Sequence, residues 1–363
     1  MGLSARLPDF PWDTLAGAKA TATAHPGGIV DLSVGTPVDP TPQFAIEALM
    51  AAGDAHGYPT VWGAPATRAA IVGYLRRRWN SVDLSDESVL PVIGTKEIVA
   101  WLPTLLGLGA ADAVVFPECA YPTYEVGALT AGARAIACDD PAAIPADARL
   151  IWINSPANPS GAILGREQLR AFVAAARERG AVLASDECYG EFAWDAEPFS
   201  VLDPRVNDGD LTGLLALHSL SKRSNAAGYR GGFVAGDPAV VQELVAVRKH
   251  LGMIVPAPIQ AAMVAMLGDQ AHVEAQRQVY LARRATLRPA LEAVGFRIDH
   301  SEGSLYLWAS RDEPCRDTVA WLAERGILAA PGDFYGPAAE RHVRIALTAT
   351  DERIAAAAER LQA

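Results

Sequence analysis

The stretch HSLSKRSNAAGYRGG, residues 218–232, sets Ser219, Ser221, Lys222 and Arg230 close together, directly after the apolar run LTGLLAL. A lysine held at the end of a buried strand, near other cations, is poorly solvated as an ammonium. Its pKa falls, and the free amine becomes a nucleophile toward carbonyl carbon. The hydroxyls and the guanidinium beside it are donors suited to a phosphate. Ser, Gly and Asn are also ordinary turn residues, so other segments must decide between a reactive site and a polar loop.

Those segments carry complementary groups. NSPANPSG supplies Asn158, and SDECY supplies Asp186 and Tyr189. AYPTY offers the Tyr121 ring, and GTKE places Thr95 and Lys96 at the start of a helix-like run whose first N–H groups are free to meet an anion. Pyridoxal 5'-phosphate asks for this set: an amine for its aldehyde, an anion for its pyridine nitrogen, donors for its phosphate and a support for its ring. Lys222 and Asp186 meet the first two needs. Ser219, Ser221 and Arg230 are candidates for the third.

These groups need elements that converge. Between about residues 65 and 250, buried runs (VLPVIG, AVVFPE, LIWINSP, VLASDECY, LLALHSLS) alternate with amphipathic stretches such as REQLRAFVAAARERG. That alternation predicts an α/β fold, a mainly parallel sheet between helices. In such sheets ligands bind beyond the carboxyl ends of the strands, which is where Asn158, Asp186 and Lys222 fall. After about residue 255 the pattern becomes a smaller α+β unit, with a long helix, the strands in FRIDHSEGSLYLWAS, and the strand HVRIALTAT between two helices. The expected division is an arm at 1–36 belonging to the smaller unit, a large cofactor-binding unit at 37–254 and a small unit at 255–363.

Composition narrows the partners. The 363 residues carry a net charge of −11, which argues against a nucleic-acid footprint. No apolar run is long enough to span a membrane, no leader pattern opens the chain, and the four cysteines lack metal spacing. A cytoplasmic protein with reduced thiols and no metal is expected.

In order along nearly the whole chain, these motifs resemble the aspartate-aminotransferase-like enzymes, the class I/II aminotransferases of pyridoxal-phosphate fold type I. The resemblance implies that Lys222 joins the cofactor's aldehyde, that Asp186 meets the pyridine nitrogen, and that Tyr189 and Asn158 reach the ring oxygen. It places Tyr121 over the ring, where many relatives carry Trp or Phe. Thr95, Lys96, Ser219, Ser221 and Arg230 would surround the phosphate, joined by Tyr58 of HGYPTVWGAPATRAAI from a second subunit, so a homodimer with shared sites is implied. Arg344 of HVRIALT would grip the substrate's α-carboxylate, with Gly35 of LSVGTP nearby. Trp12, Trp62 and Tyr306 are read as core residues more than as pocket lining.

The N-terminal stretch LPDFPWDTLAGAKATATAHPGGIVDLSVGTPVDP further resembles the actinobacterial succinyldiaminopimelate aminotransferases. That resemblance implies glutamate and 2-oxoglutarate paired with a succinylated diaminopimelate keto acid, with Lys19, Arg248 and Lys249 as possible distal cations. A general aspartate or aromatic aminotransferase, or a carbon–sulfur lyase using the same cofactor, is the alternative. Ser219 to Lys222 also satisfies S-x-x-K, but the S-D-N and K-T-G companions of the penicillin-binding hydrolases are missing.

Overall fold

The computed structural model describes residues 2–362. Its strands are β1 (Val30–Asp31), β2 (Val89–Val92), β3 (Ala113–Phe116), β4 (Arg134–Ala137), β5 (Ala148–Asn154), β6 (Val182–Asp186), β7 (Leu214–Ser219), β8 (Gly232–Gly236), β9 (Arg297–Asp299), β10 (Tyr306–Ser310), β11 (Ile327–Leu328), β12 (Ala330–Pro331) and β13 (Val343–Ala346). Strands β2 to β8 form a seven-stranded sheet in the order β2-β8-β7-β6-β5-β3-β4. The run from β7 to β4 is parallel, and β8 lies antiparallel to both of its neighbours. The α/β fold expected from the alternation is the fold found.

The apolar character of these strands follows from cover on both faces. In β5, Ile151 and Ile153 join Leu169, Phe172 and Val173 of the helix Arg166–Arg179 on one side. Leu150 and Trp152 meet Ile98 and Leu102 of the helix Thr95–Leu105 on the other. One strand therefore feeds two cores, and neither face can be polar until the strand ends. At those ends the polarity changes abruptly. Asn154, Asp186 and Ser219 are the last residues of three adjacent strands, with Asn154 paired directly to Asp186.

The second sheet has four strands in the order β12-β13-β10-β9, all antiparallel. Its core includes Leu307, Val343 and Ile345, packed with Val319 and Leu322 of the helix Cys315–Glu324 and with Ile354 of the helix Asp351–Gln362. The N-terminal stretch ties itself to this sheet: β1 pairs in parallel with β11, and Leu32 O accepts a 2.8 Å bond from Ala346 N–H. It then crosses toward the large sheet, where the Thr41 hydroxyl donates to Asn225 O at 2.7 Å. No helix among the described residues is long and apolar enough to cross a membrane.

Candidate active site

The floor of the site is built on the three strand ends. Asp186 is buried, and its Oδ2 accepts a 2.8 Å bond from the Tyr124 hydroxyl while Oδ1 accepts the Cys188 N–H at 3.2 Å. Burial lifts the Asp186 carboxyl above its usual range, and these two bonds pull against that rise. A cation brought to this carboxylate would favour its charged form. Asn154 braces the turn beside it, donating 2.8 Å to Asp186 O and accepting the Asn158 N–H at 2.7 Å. Tyr124 stacks on Trp152 of β5 with ring centroids 5.0 Å apart, which fixes the hydroxyl that holds Asp186.

Lys222 lies in the single helical turn Leu220–Arg223 that follows β7. Ser219 caps that turn by accepting the Ser221 N–H at 3.1 Å. Lys222 Nζ donates to Gly35 O. Burial pushes the Lys222 ammonium down, and the positive charges of Arg344 and Arg230 add to the effect, while Tyr306 and Cys188 oppose it. An amine in this position reaches its neutral, nucleophilic form more readily than a surface lysine.

Beside Lys222 the backbone forms a hollow. Gly94, at φ +73, precedes the helix Thr95–Leu105 and caps it with no side chain, and a Cβ there would overlap the Arg230 guanidinium. Arg230 has no carboxylate partner among the described residues; it bonds only Ala227 O, at 3.0 Å. The Thr95 hydroxyl accepts the Cys188 thiol at 3.2 Å. Free helix N–H groups, an unpaired guanidinium and a missing side chain make a cup of the right character for a phosphate.

Above the floor, Arg344 of β13 is buried to 3% exposure, with no carboxylate against it among the described residues. Nη1 donates 2.9 Å to Asn158 Oδ1, and Nη2 donates 2.7 Å to Ser33 O. Nε is buried and has no hydrogen-bond partner. The guanidinium carbon lies 4.1 Å over the Tyr306 ring and 5.2 Å over Tyr335. A buried guanidinium left short of an anion is the expected form of a carboxylate receptor.

Lys222, Asp186, Tyr189, Asn158, Thr95, Ser219, Ser221, Arg230, Gly35 and Arg344 thus lie around one centre. Tyr121 borders it, its ring 5.8 Å from that of Tyr124, and burial pushes its hydroxyl up to about 12. Lys96 is exposed, with Nζ 6.0 Å from the Tyr121 ring and 5.9 Å from that of Phe10. Tyr58 stands apart: it is 100% exposed and lines a surface groove with Pro65, Gln260 and Val264. Arg248 is not a free cation, because it is buried and paired to Glu97 at 2.7 Å. Lys19 and Lys249 are exposed. Trp12 packs on Phe334, with ring centroids 5.1 Å apart, and Trp62 lies under the Arg68 guanidinium at 4.2 Å.

Sequence reasoning passed over Tyr124, Ser33, Gly94 and the role of Tyr306. Tyr124 sat in the quoted AYPTY, three residues after Tyr121, in a helix that turns it toward the same floor. Ser33 acts through its carbonyl, which leaves no mark on residue type. A cavity of about 940 Å³ lies alongside, lined by Trp152, Asn154, Phe172, Asp299 and His342, and none of Lys222, Asp186 or Arg344 borders it.

The family model for aminotransferase class I and II matches residues 28–361. A probable aminotransferase of Mycobacterium tuberculosis is 61% identical over 361 residues, covering 99% of this chain and 86% of that protein. The 4-dedimethylamino-4-oxo-anhydrotetracycline transaminase OxyQ of Streptomyces rimosus is 56% identical, covering 98% and 99%. Among solved structures, a probable N-succinyldiaminopimelate aminotransferase of Thermus thermophilus is 27% identical with a TM-score of 0.87, covering 97% of this chain and 99% of that one.

Proposed function

The chain belongs to the class I and II aminotransferases, enzymes that use pyridoxal phosphate to move an amino group between an amino acid and a keto acid, and we propose that its own pair is glutamate with an N-succinylated diaminopimelate keto acid. The observation that carries the acid specificity is Arg344. A guanidinium buried to 3% exposure, held by Asn158 and Ser33 and lacking a carboxylate, fits the α-carboxylate that both substrates share.

The residues present fit the cofactor. Thr95, Lys96, Ser219, Ser221 and Arg230 would hold its phosphate in the hollow that Gly94 leaves open, with Tyr58 of the partner subunit completing the cup in a homodimer. The full exposure of Tyr58 in one protomer supports that role. Asp186 would meet the pyridine nitrogen, Tyr189 and Asn158 the ring oxygen, and Tyr121 one ring face. When bound, the cofactor supplies a ring that accepts negative charge developing at the substrate's α-carbon. Lys222 binds the cofactor, then takes and returns the proton at that carbon. Asp186, steadied by Tyr124, keeps the proton on the pyridine nitrogen. Arg344 and Asn158 orient the substrate so that its α-proton faces Lys222.

The division into an arm at 1–36, a large unit at 37–254 and a small unit at 255–363 belongs to this reading, as does a cytoplasmic site of action. In it, Arg344 on β13 and Lys222 beyond β7 come from different units that meet over the substrate. The 27% identical Thermus thermophilus protein, a probable N-succinyldiaminopimelate aminotransferase, supports the substrate assignment. The OxyQ relative at 56% identity favours a second reading, a polycyclic ketone as amino acceptor. A competition assay separates these: with glutamate as donor, the succinylated keto acid should show the highest kcat/KM in a panel holding oxaloacetate, phenylpyruvate and a polycyclic ketone. A higher value for any of the others refutes the substrate assignment and leaves the aminotransferase class intact.

A further inference from the structure

Tyr306 of β10, read from the sequence as a core aromatic, stands between the two working ends of the site. Its hydroxyl lies 2.8 Å from the Tyr189 hydroxyl. Its ring lies 4.1 Å beneath the Arg344 guanidinium carbon. Strand pairing explains how one side chain reaches both. Tyr306 sits opposite Ala346 and Trp308 opposite Arg344, so Tyr306 and Arg344 are diagonal neighbours on one face of the small sheet. The hydroxyl has room because residue 35 is glycine: a Cβ there would overlap it. The carbonyl of the same Gly35 accepts from Lys222 Nζ. One backbone segment therefore fits around Tyr306 and touches the reactive amine.

We propose that Tyr306 is a positioning residue for the transfer reaction, whose hydroxyl donates to Tyr189 and turns the Tyr189 proton toward the cofactor's ring oxygen, while its ring holds the Arg344 guanidinium flat for the substrate carboxylate. The inference rests on the reading that Tyr189 faces that ring oxygen. Tyr189 has a single proton. If it gives that proton to the cofactor, the 2.8 Å contact with Tyr306 is made only when Tyr306 donates. A donor bonded to the oxygen of a phenol makes the phenol a stronger donor in turn. The cation over the Tyr306 ring favours the same direction, because it steadies the negative charge that donation leaves on the Tyr306 oxygen. The titratable groups around the pair are Lys222, Arg344, Tyr121, Tyr280 and Tyr335, with Cys188 beside Tyr189. Asp186 acts on Tyr121 and Cys188 nearby, and Asp39 on Tyr280, but among the described residues no carboxylate hydrogen-bonds to either hydroxyl of the pair.

The role reads out in the resting holoenzyme, without turnover. Donation to the cofactor's ring oxygen withdraws the negative charge that holds the proton on the nitrogen linking Lys222 to the cofactor. The pH midpoint of the visible absorption band reports that proton. Tyr306→Phe should raise the midpoint by roughly 0.3 to 1 unit, the size of one modest hydrogen bond. Tyr189→Phe should raise it further, and the double variant should go no higher than Tyr189→Phe alone. A wild-type midpoint in Tyr306→Phe, or a shift that adds in full to that of Tyr189→Phe, overturns the relay. An unmoved midpoint in Tyr189→Phe itself overturns the placement of Tyr189 and the relay with it, and is recognised by that variant's own silence. The ring's part is read separately from KM for 2-oxoglutarate. Tyr306→Phe should keep it, and Tyr306→Leu should raise it roughly 3- to 30-fold as the cation–π contact is lost. A wild-type KM in Tyr306→Leu overturns the second half of the proposal.

Discussion

Arg344 and Asn158, 186 positions apart, are joined by a 2.9 Å hydrogen bond from Nη1 to Oδ1. One residue stands on β13 of the small sheet and the other follows β5 of the large one, so this bond links the two sheets. Arg344→Lys keeps the charge but loses the planar fork and the bond geometry. The expected result is a fall of roughly 100-fold in kcat/KM for keto acids, the loss of about two charge-assisted hydrogen bonds. The measurement is steady-state kinetics with 2-oxoglutarate, and KM should carry most of the change.

Tyr124 supports the charge on Asp186. Tyr124→Phe leaves Asp186 Oδ2 without its 2.8 Å donor in a buried setting, so the carboxyl rises further above its usual range. The turnover number should fall by roughly 10-fold. The acidic limb of the kcat–pH profile should move to higher pH. A profile that coincides with wild type would show that Asp186 does not depend on this hydroxyl.

Gly94 is required twice, by its φ of +73 and by the nearness of the Arg230 guanidinium. Gly94→Ala strains the backbone by about 1–3 kcal/mol, because φ +73 with ψ 153 is a region that essentially only glycine adopts, and pushes Arg230 out of the proposed phosphate cup. Affinity for pyridoxal phosphate, measured by equilibrium dialysis, should weaken by roughly 10-fold or more, and the thermal midpoint of the apoenzyme should fall by a few degrees.

The sign of a pH effect follows from Lys222. In the folded apoenzyme burial makes this ammonium lose its proton at a lower pH than in the unfolded chain, where lysine titrates near about 10.4. Between the two values the unfolded chain binds more protons, so raising the pH through that window stabilises the folded form. Below the folded value the penalty is complete and constant. Lys222→Met lacks this term. Wild-type apoenzyme should therefore gain stability relative to Lys222→Met as pH rises toward about 10.4 in denaturant titrations. A difference that stays flat across alkaline pH would contradict the burial of the amine.

Much of the large sheet was legible because its strands are buried on both faces, and runs such as LIWINSP and LLALHSLS announce that directly. Edge strand β4, Arg134–Ala137, has no fully buried residue and gave no such signal. The antiparallel entry of β8 was equally silent, since GFVAG looks the same in either direction. Within the site, Lys222, Asp186 and Arg344 stood out by charge in apolar surroundings. Ser33 and Gly35 act through their carbonyls, and Gly94 through the atoms it lacks, so the fold had to bring their partners into view. Tyr306 is a core residue of the small sheet, as its sequence context suggests, and only the fold reveals the 2.8 Å contact with Tyr189 and the Arg344 guanidinium over its ring.

The most direct test of the whole account follows the amino group itself. Holoenzyme is mixed with 15N-labelled glutamate, freed of small molecules, and then given the succinylated keto acid. The account predicts that about one label per active site stays with the enzyme after 2-oxoglutarate has left and then appears on the acceptor, and that Lys222→Ala transfers essentially none. Label released as free ammonium, or an unlabelled acceptor beside fully active enzyme, would contradict it.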